Sequence, residues 1–263
     1  MQKPRIDPVT VVGLGLLLLP LLTMWHEIGG HAATCVVLHG RVATIGAFYV
    51  DCEGLSGWRQ VAVSSAGAAM DTVLAIVAWQ VWRRVTSDRA RLFWWYVAVV
   101  KGYVAAGYFL FSGVSGFGDF GTDPGNGLAI LPAHAVVRIA LIVIGGLAYW
   151  RLYLLAARML AGMLGQGMET KVARRVVAHL FYLTMGLDAV LIGVFNPVGF
   201  VITLMSAAAS SFGGNAGLIS VGYATKEAGE PKPFTIDRSW AALVIGATVS
   251  LAFGAILGPS LHP

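Results

Sequence analysis

Residues 9–38 read VTVVGLGLLLLPLLTMWHEIGGHAATCVVL. The run is long enough to cross a bilayer, which takes about 20 predominantly apolar residues. It is interrupted by Pro20 and by the polar cluster His26-Glu27-Ile28-Gly29-Gly30-His31. An ionisable side chain in hydrocarbon is costly, so two imidazoles and a carboxylate within six residues mark a functional site. The rest of the chain agrees with a membrane setting. Of 263 residues, 57% are apolar and 12% charged, and the mean hydropathy is +0.75. Soluble domains carry about 25% charged residues, so this chain lacks the charge to cover a water-facing surface. Disorder, a coiled coil and a disulfide scaffold are excluded by the same composition, which holds only two cysteines.

Working outward, apolar spans are expected at about 9–38, 61–82, 92–112, 135–157, 176–195, 197–222 and 239–258. The break at Asn196-Pro197 makes the number seven, or six if the proline only kinks one long helix. The expectation is an all-α polytopic membrane protein forming a single integral membrane domain over 1–263. Residues 40–60 are rich in β-branched and aromatic types and read as a short strand or hairpin at the membrane edge. The 225–238 segment, charged and with two prolines, reads as a solvated loop, and Trp94-Trp95-Tyr96 as an interfacial aromatic belt.

Basic residues set orientation. With the N-terminus in the cytoplasm and seven spans, fourteen Lys and Arg fall inside, including Lys226 and Arg174. Three (Arg41, Arg59, Arg138) fall outside, with Lys101 in the third span. With six spans the partition is eleven against six. A multi-pass protein of the cell membrane with a cytoplasmic N-terminus is expected, with the bilayer and no nucleic acid as its environment. The basic start (Lys3, Arg5) carries no convincing cleavage site after it.

The cluster at 26–31 is close to HExxH, in which two histidines one turn apart bind zinc and the glutamate is general base. Bound zinc lowers the pKa of water to about 7. Here the histidines are five apart. In a regular helix i and i+4 lie about 40° from each other, but i and i+5 about 140°. A π-bulge stacks i on i+5 and occurs preferentially at functional sites, with Gly29-Gly30 supplying an adaptable backbone. The alternative is a regular helix presenting Glu27, His31 and Cys35 on one face. A third ligand is sought after the third span, in Ser112-Gly-Val-Ser-Gly-Phe-Gly-Asp-Phe-Gly-Thr-Asp123. The first and third spans run in the same direction, so Asp119, with Asp123 as second choice, falls at the same membrane face as His26 and His31.

His-Glu-Ile-Gly-Gly-His-Ala followed by His39-Gly-Arg-Val resembles the zinc helix and membrane-edge strand of site-2 proteases, which are intramembrane zinc metalloproteases. Ser65-Ala-Gly-Ala-Ala-Met-Asp71 is similar to that family's Ala-Gly-Pro-x-x-Asn segment. The likeness covers about residues 22–75. It departs by the extra glycine in the histidine motif and by Asp71 in place of asparagine. Asn196-Pro197 is similar to the family's Asn-Pro, without the Leu-Asp-Gly that follows there. The resemblance implies peptide hydrolysis in membrane-embedded substrates, with Zn held by His26 and His31, to which the span direction adds Asp119. It further implies Glu27 as base and Asp71 as a substrate-binding residue. The strand near 43–50 would pair with an unwound transmembrane-peptide substrate.

Competing signals share the chain. Gly116-Phe-Gly-Asp119 resembles the GxGD motif of presenilin-like aspartyl proteases, with Asp71 or Asp188 as partner. Gly113-Val-Ser-Gly116 matches the rhomboid GxSG, which needs a histidine such as His179. A transporter or receptor-like protein would instead line a path with Asp71, Lys101, Asp188 and the 196–212 region. Lys101 can also neutralise Asp71 or Asp188. His39 and His134 fit interfacial roles. Cys35 suits a small buried site, or a pairing with Cys52.

Overall fold

Asp7 opens the first helix: its carboxylate accepts from the Val9 and Thr10 amides, and Pro8 takes the first helical position, where no amide is needed. The computed structural model describes residues 3–197, 207, 210–225 and 229–263. Its strands are β1 (Arg5–Ile6), β2 (Arg41–Ile45), β3 (Val50–Glu53) and β4 (Thr235–Ile236). Its α-helices are α1 (Pro8–His26), α2 (Ala33–Val37), α3 (Trp58–Arg84), α4 (Asp88–Ser115), α5 (His134–Leu164), α6 (Lys171–Arg175), α7 (Phe181–Val194), α8 (Gly217–Tyr223) and α9 (Trp240–Leu257). A π-helical turn, Glu27–Ala32, joins α1 to α2, and another, Val176–Leu180, joins α6 to α7.

Among the described residues six helical stretches are long and apolar enough to span a membrane: Pro8–Val37, Trp58–Arg84, Asp88–Ser115, His134–Leu164, Met168–Val194 and Trp240–Leu257. The chain is therefore a multi-pass membrane protein of the all-α class, with two small sheets. Pro20 does not break α1. Much of the expected 197–222 span lies outside the described residues, as does Lys226; the described part of that span holds α8. Asn196 donates to Gly258 O and Ser260 Oγ, both at 3.2 Å, beyond the far end of α9. Ala224 O instead accepts from Arg174 at 3.0 Å, near the start of α6. Asn196 and Ala224 thus lie toward opposite ends of the bundle.

α4 is the central helix, with 67% of its most apolar stretch buried against 17% for α5. That position overturns the aromatic belt: Trp95 and Tyr96 are fully buried. Trp95 donates to Ala156 O at 3.2 Å and Tyr96 to Val177 O at 2.9 Å, with the Tyr96 ring stacked on Phe181. The 225–238 segment is likewise more than a solvated loop. β4 pairs in parallel with β1, and Phe234 and Ile236 are buried. Arg174 is no free surface cation either; it is buried and donates to Thr170, Gly165 and Ala224.

The predicted membrane-edge hairpin is β2–β3, antiparallel, with Arg41 opposite Glu53 and a bulge between Val42 and Thr44. Cys52 of β3 is disulfide-bonded to Cys35 of α2. The outer edge of β2 is occupied: Ile45 and Leu261 exchange two backbone hydrogen bonds of 2.8 Å.

Candidate metal centre

The site begins with a backbone irregularity. In the turn Glu27–Ala32 the Ala33 amide reaches back five residues to Ile28 O. This widened turn brings His26 and His31 onto one face, and their Nε2 atoms stand 3.1 Å apart. The spacing of five pointed to such a turn, and the structure contains it. Close approach of α3 makes room and closes the back of the turn. A Cβ on Gly30 would lie 2.6 Å from Gly67 Cα, so the two backbones meet where only glycine fits.

Both imidazoles are held from behind. His31 Nδ1 lies 2.7 Å from Val63 O. A carbonyl only accepts, so Nδ1 carries the proton and donates. His26 Nδ1 lies 2.9 Å from Asp71 Oδ2 and donates to that carboxylate in the same way. Two neutral imidazoles held so have unprotonated Nε2 atoms, whose lone pairs face each other at 3.1 Å. A cation between them, proton or metal, relieves that repulsion.

Asp119 completes the convergence. α4 ends at Gly116 in the left-handed conformation, and the loop folds back through Gly118, whose amide donates to Asn126 Oδ1 at 3.0 Å. Phe120 N donates to Ser112 Oγ at 3.3 Å. So held, Asp119 Oδ2 lies 3.5 Å from His26 Nε2 and 3.6 Å from His31 Nε2, buried and without a hydrogen-bond partner. The triangle of these three atoms, with sides 3.1, 3.5 and 3.6 Å, has one common point about 2.0 Å from every corner, the Zn–N and Zn–O bond length. Glu27 sits beside it: His26, Glu27 and His31 offer ligand atoms within 4.8 Å of one another. A methyl at Gly67 would crowd both Nε2 atoms, so the space beside the imidazoles depends on that glycine. Two imidazole nitrogens and a carboxylate suit zinc, and the residues fit such an ion.

A cavity of about 560 Å³ opens onto this group. Glu27, His31 and Asp119 lie in its wall with Tyr108 of α4 and the 118–127 loop. All four β3 residues, Val50 to Glu53, border it. Side chains alternate faces along a strand, so four consecutive bordering residues mean that the strand's edge faces the cavity.

His26, His31, Glu27 and Asp119 are thus brought together as their spacing and span direction suggested. Asp71, expected to meet substrate, is fully buried behind His26, with Oδ1 2.6 Å from Lys101 Nζ. α3 turns it toward α1 and α4 and away from the cavity. Asp123 does not join the triangle; its carboxylate packs against Gly116. Cys35 is committed to the disulfide, which removes the Glu27/His31/Cys35 set. The imidazole of His26 stands between Asp71 and Asp119, so these carboxylates do not share a proton. Asp188 bonds Ser250 at 2.6 Å. Ser115 Oγ donates to Phe111 O and His179 contacts Ile219 O, so no Ser–His pair forms. Two partners carried no sequence signal: the Val63 carbonyl, and Tyr108, whose ring stacks on His26 at 4.9 Å. Comparison with protein-family models, curated proteins and solved structures finds no match to this chain.

Proposed function

We propose that this chain is a membrane-embedded, zinc-type metallohydrolase that cuts peptide bonds in membrane protein or transmembrane-peptide substrates. The observation that carries the reading is the convergence of three lone-pair atoms, His26 Nε2, His31 Nε2 and Asp119 Oδ2, beside a free carboxylate at the wall of a cavity. These three residues would hold the ion. When bound, such an ion supplies a Lewis acid that acidifies water and polarises a carbonyl. Glu27, next to the ligands and facing the cavity, accepts the proton from the attacking water and returns it to the departing amide nitrogen. The surrounding helices exclude bulk water and strengthen these charge interactions. An extended substrate segment adds to β3, whose edge borders the cavity, and not to β2, whose edge Leu261 already occupies.

We further propose that the N-terminus is cytoplasmic and that the cavity opens toward the outer side of the cell membrane. The basic-residue partition supports this, and so does the Cys35–Cys52 disulfide at the cavity end, because disulfides persist on the oxidising side.

The test is Glu27→Gln in detergent-purified, zinc-loaded protein given casein and a panel of single-span peptides. Unchanged metal content with hydrolysis reduced at least about 100-fold is expected. Undiminished hydrolysis at equal metal content refutes the assignment of Glu27.

A further inference from the structure

Lys101 and Asp71 are buried charges that hydrolysis itself does not use. We propose that they form a positioning pair for His26, in which Asp71 fixes the ring and its tautomer and Lys101 neutralises the buried carboxylate of Asp71. The inference rests on the metal reading of the site. Lys101 Nζ lies 2.6 Å from Asp71 Oδ1, and Asp71 Oδ2 lies 2.9 Å from His26 Nδ1. The three side chains come from α4, α3 and α1, and none exceeds 3% exposure.

A carboxylate can rotate and offer either oxygen. With Oδ1 held by the ammonium, Oδ2 is left for the Nδ1 proton, and Nε2 is turned to His31 and Asp119. Lys101 makes no other ion pair or hydrogen bond among the described residues, so its buried charge serves Asp71 alone. Tyr108 closes the face of the same ring. His31, by contrast, is held by the neutral Val63 carbonyl. The two nitrogen ligands are therefore unequal, and His26 is the more strongly polarised. Removing the outer partner of a ligating histidine lowers metal affinity by roughly 10- to 100-fold.

The experiment must separate positioning from plain neutralisation of a buried charge. Single variants leave an unpaired charge in the bundle, so double variants are used, with folding checked by monodispersity in detergent. Asp71→Leu/Lys101→Met removes both charges and the acceptor. Asp71→Asn/Lys101→Met removes both charges but keeps an oxygen that can accept from Nδ1. Zinc affinity by chelator competition and the visible spectrum of the cobalt-substituted protein are read for each. The leucine variant is expected to bind zinc about 10- to 100-fold more weakly, with a changed cobalt spectrum. The asparagine variant is expected to stay within about threefold of the parent chain, below that range. Should the leucine variant fail to fold, Asp71→Ser/Lys101→Met, too short to reach His26, carries the same expectation. Parent-like affinity and spectrum without an acceptor overturn the proposal, as does equal loss in the asparagine variant. Absence of metal binding in the parent chain instead overturns the reading on which the proposal rests.

Discussion

Gly67→Ala adds one methyl group to α3 at the place where the ligands converge. In the structure that methyl would stand 2.5 Å from His31 Nε2 and nearer still to His26 Nε2. Ordinary non-bonded contact is about 3.5 Å, so each ring must retreat by about 1 Å. Metal sites tolerate ligand displacements of only about 0.2 Å. Neither ring can retreat freely, because His26 is tied to Asp71 and His31 to Val63 O. Two of three ligands are therefore lost or strained, and zinc affinity should fall at least about 100-fold, or about 2.8 kcal/mol. Helix formation is not the casualty, since alanine is favoured over glycine in a helix interior by about 1 kcal/mol. Gly146→Ala is the control, because a Cβ there would meet only Leu110, at 3.9 Å. The assay is zinc stoichiometry after dialysis, together with the cobalt spectrum and far-ultraviolet circular dichroism. Retained zinc and an unchanged cobalt spectrum in Gly67→Ala would refute the placement of the ion between the imidazoles.

The remaining expectations concern stability. Replacing Cys35 and Cys52 by serine opens a loop closed across 17 residues; the chain-entropy account predicts a loss of about 3 kcal/mol, read as a lower thermal midpoint in detergent, and an unchanged midpoint contradicts it. Because the bridge ties β3 to α2, the same variant should show faster limited proteolysis of residues 46–57. Stripping metal with a chelator should lower the midpoint, and zinc at 100 times its dissociation constant should restore about 2.7 kcal/mol. A midpoint indifferent to zinc at every concentration argues against a metal site in the folded state.

Local features were the legible ones. The five-residue spacing of His26 and His31 pointed to a widened turn, because a regular helix would part them by about 140°. The β-branched and aromatic residues of 40–60 announced the β2–β3 hairpin. The direction of successive spans placed Asp119 at the level of the histidines without any contact information. What stayed hidden depends on rotation about helix axes and on pairings distant in sequence. The side of α3 that carries Asp71 could not be read from its apolar pattern, since neighbouring helices and lipid are equally apolar. Val63 contributes a carbonyl, which its residue type does not reveal. Trp95 and Tyr96 look like interface anchors until α4 is known to be the central helix. The occupation of the β2 edge by Leu261 joins positions more than two hundred residues apart.

Charge and hydrogen bonding both favour the proposed ion. Glu27, Asp71 and Asp119 bring three negative charges into one buried cluster, and Lys101 returns one positive charge. If both imidazoles are neutral, with Nδ1 donating to Asp71 and to Val63 O, the cluster is short of two positive charges. Uncompensated charge in a low-dielectric interior is strongly unfavourable. A proton on one Nε2 would remove half of that deficit. A divalent ion removes the whole deficit and meets all three atoms at once. The charge count therefore favours the same occupant that the triangle of ligand atoms fits. The carboxylate of Glu27 is then the one anion of the group that needs no permanent partner, which is the condition a general base has to meet.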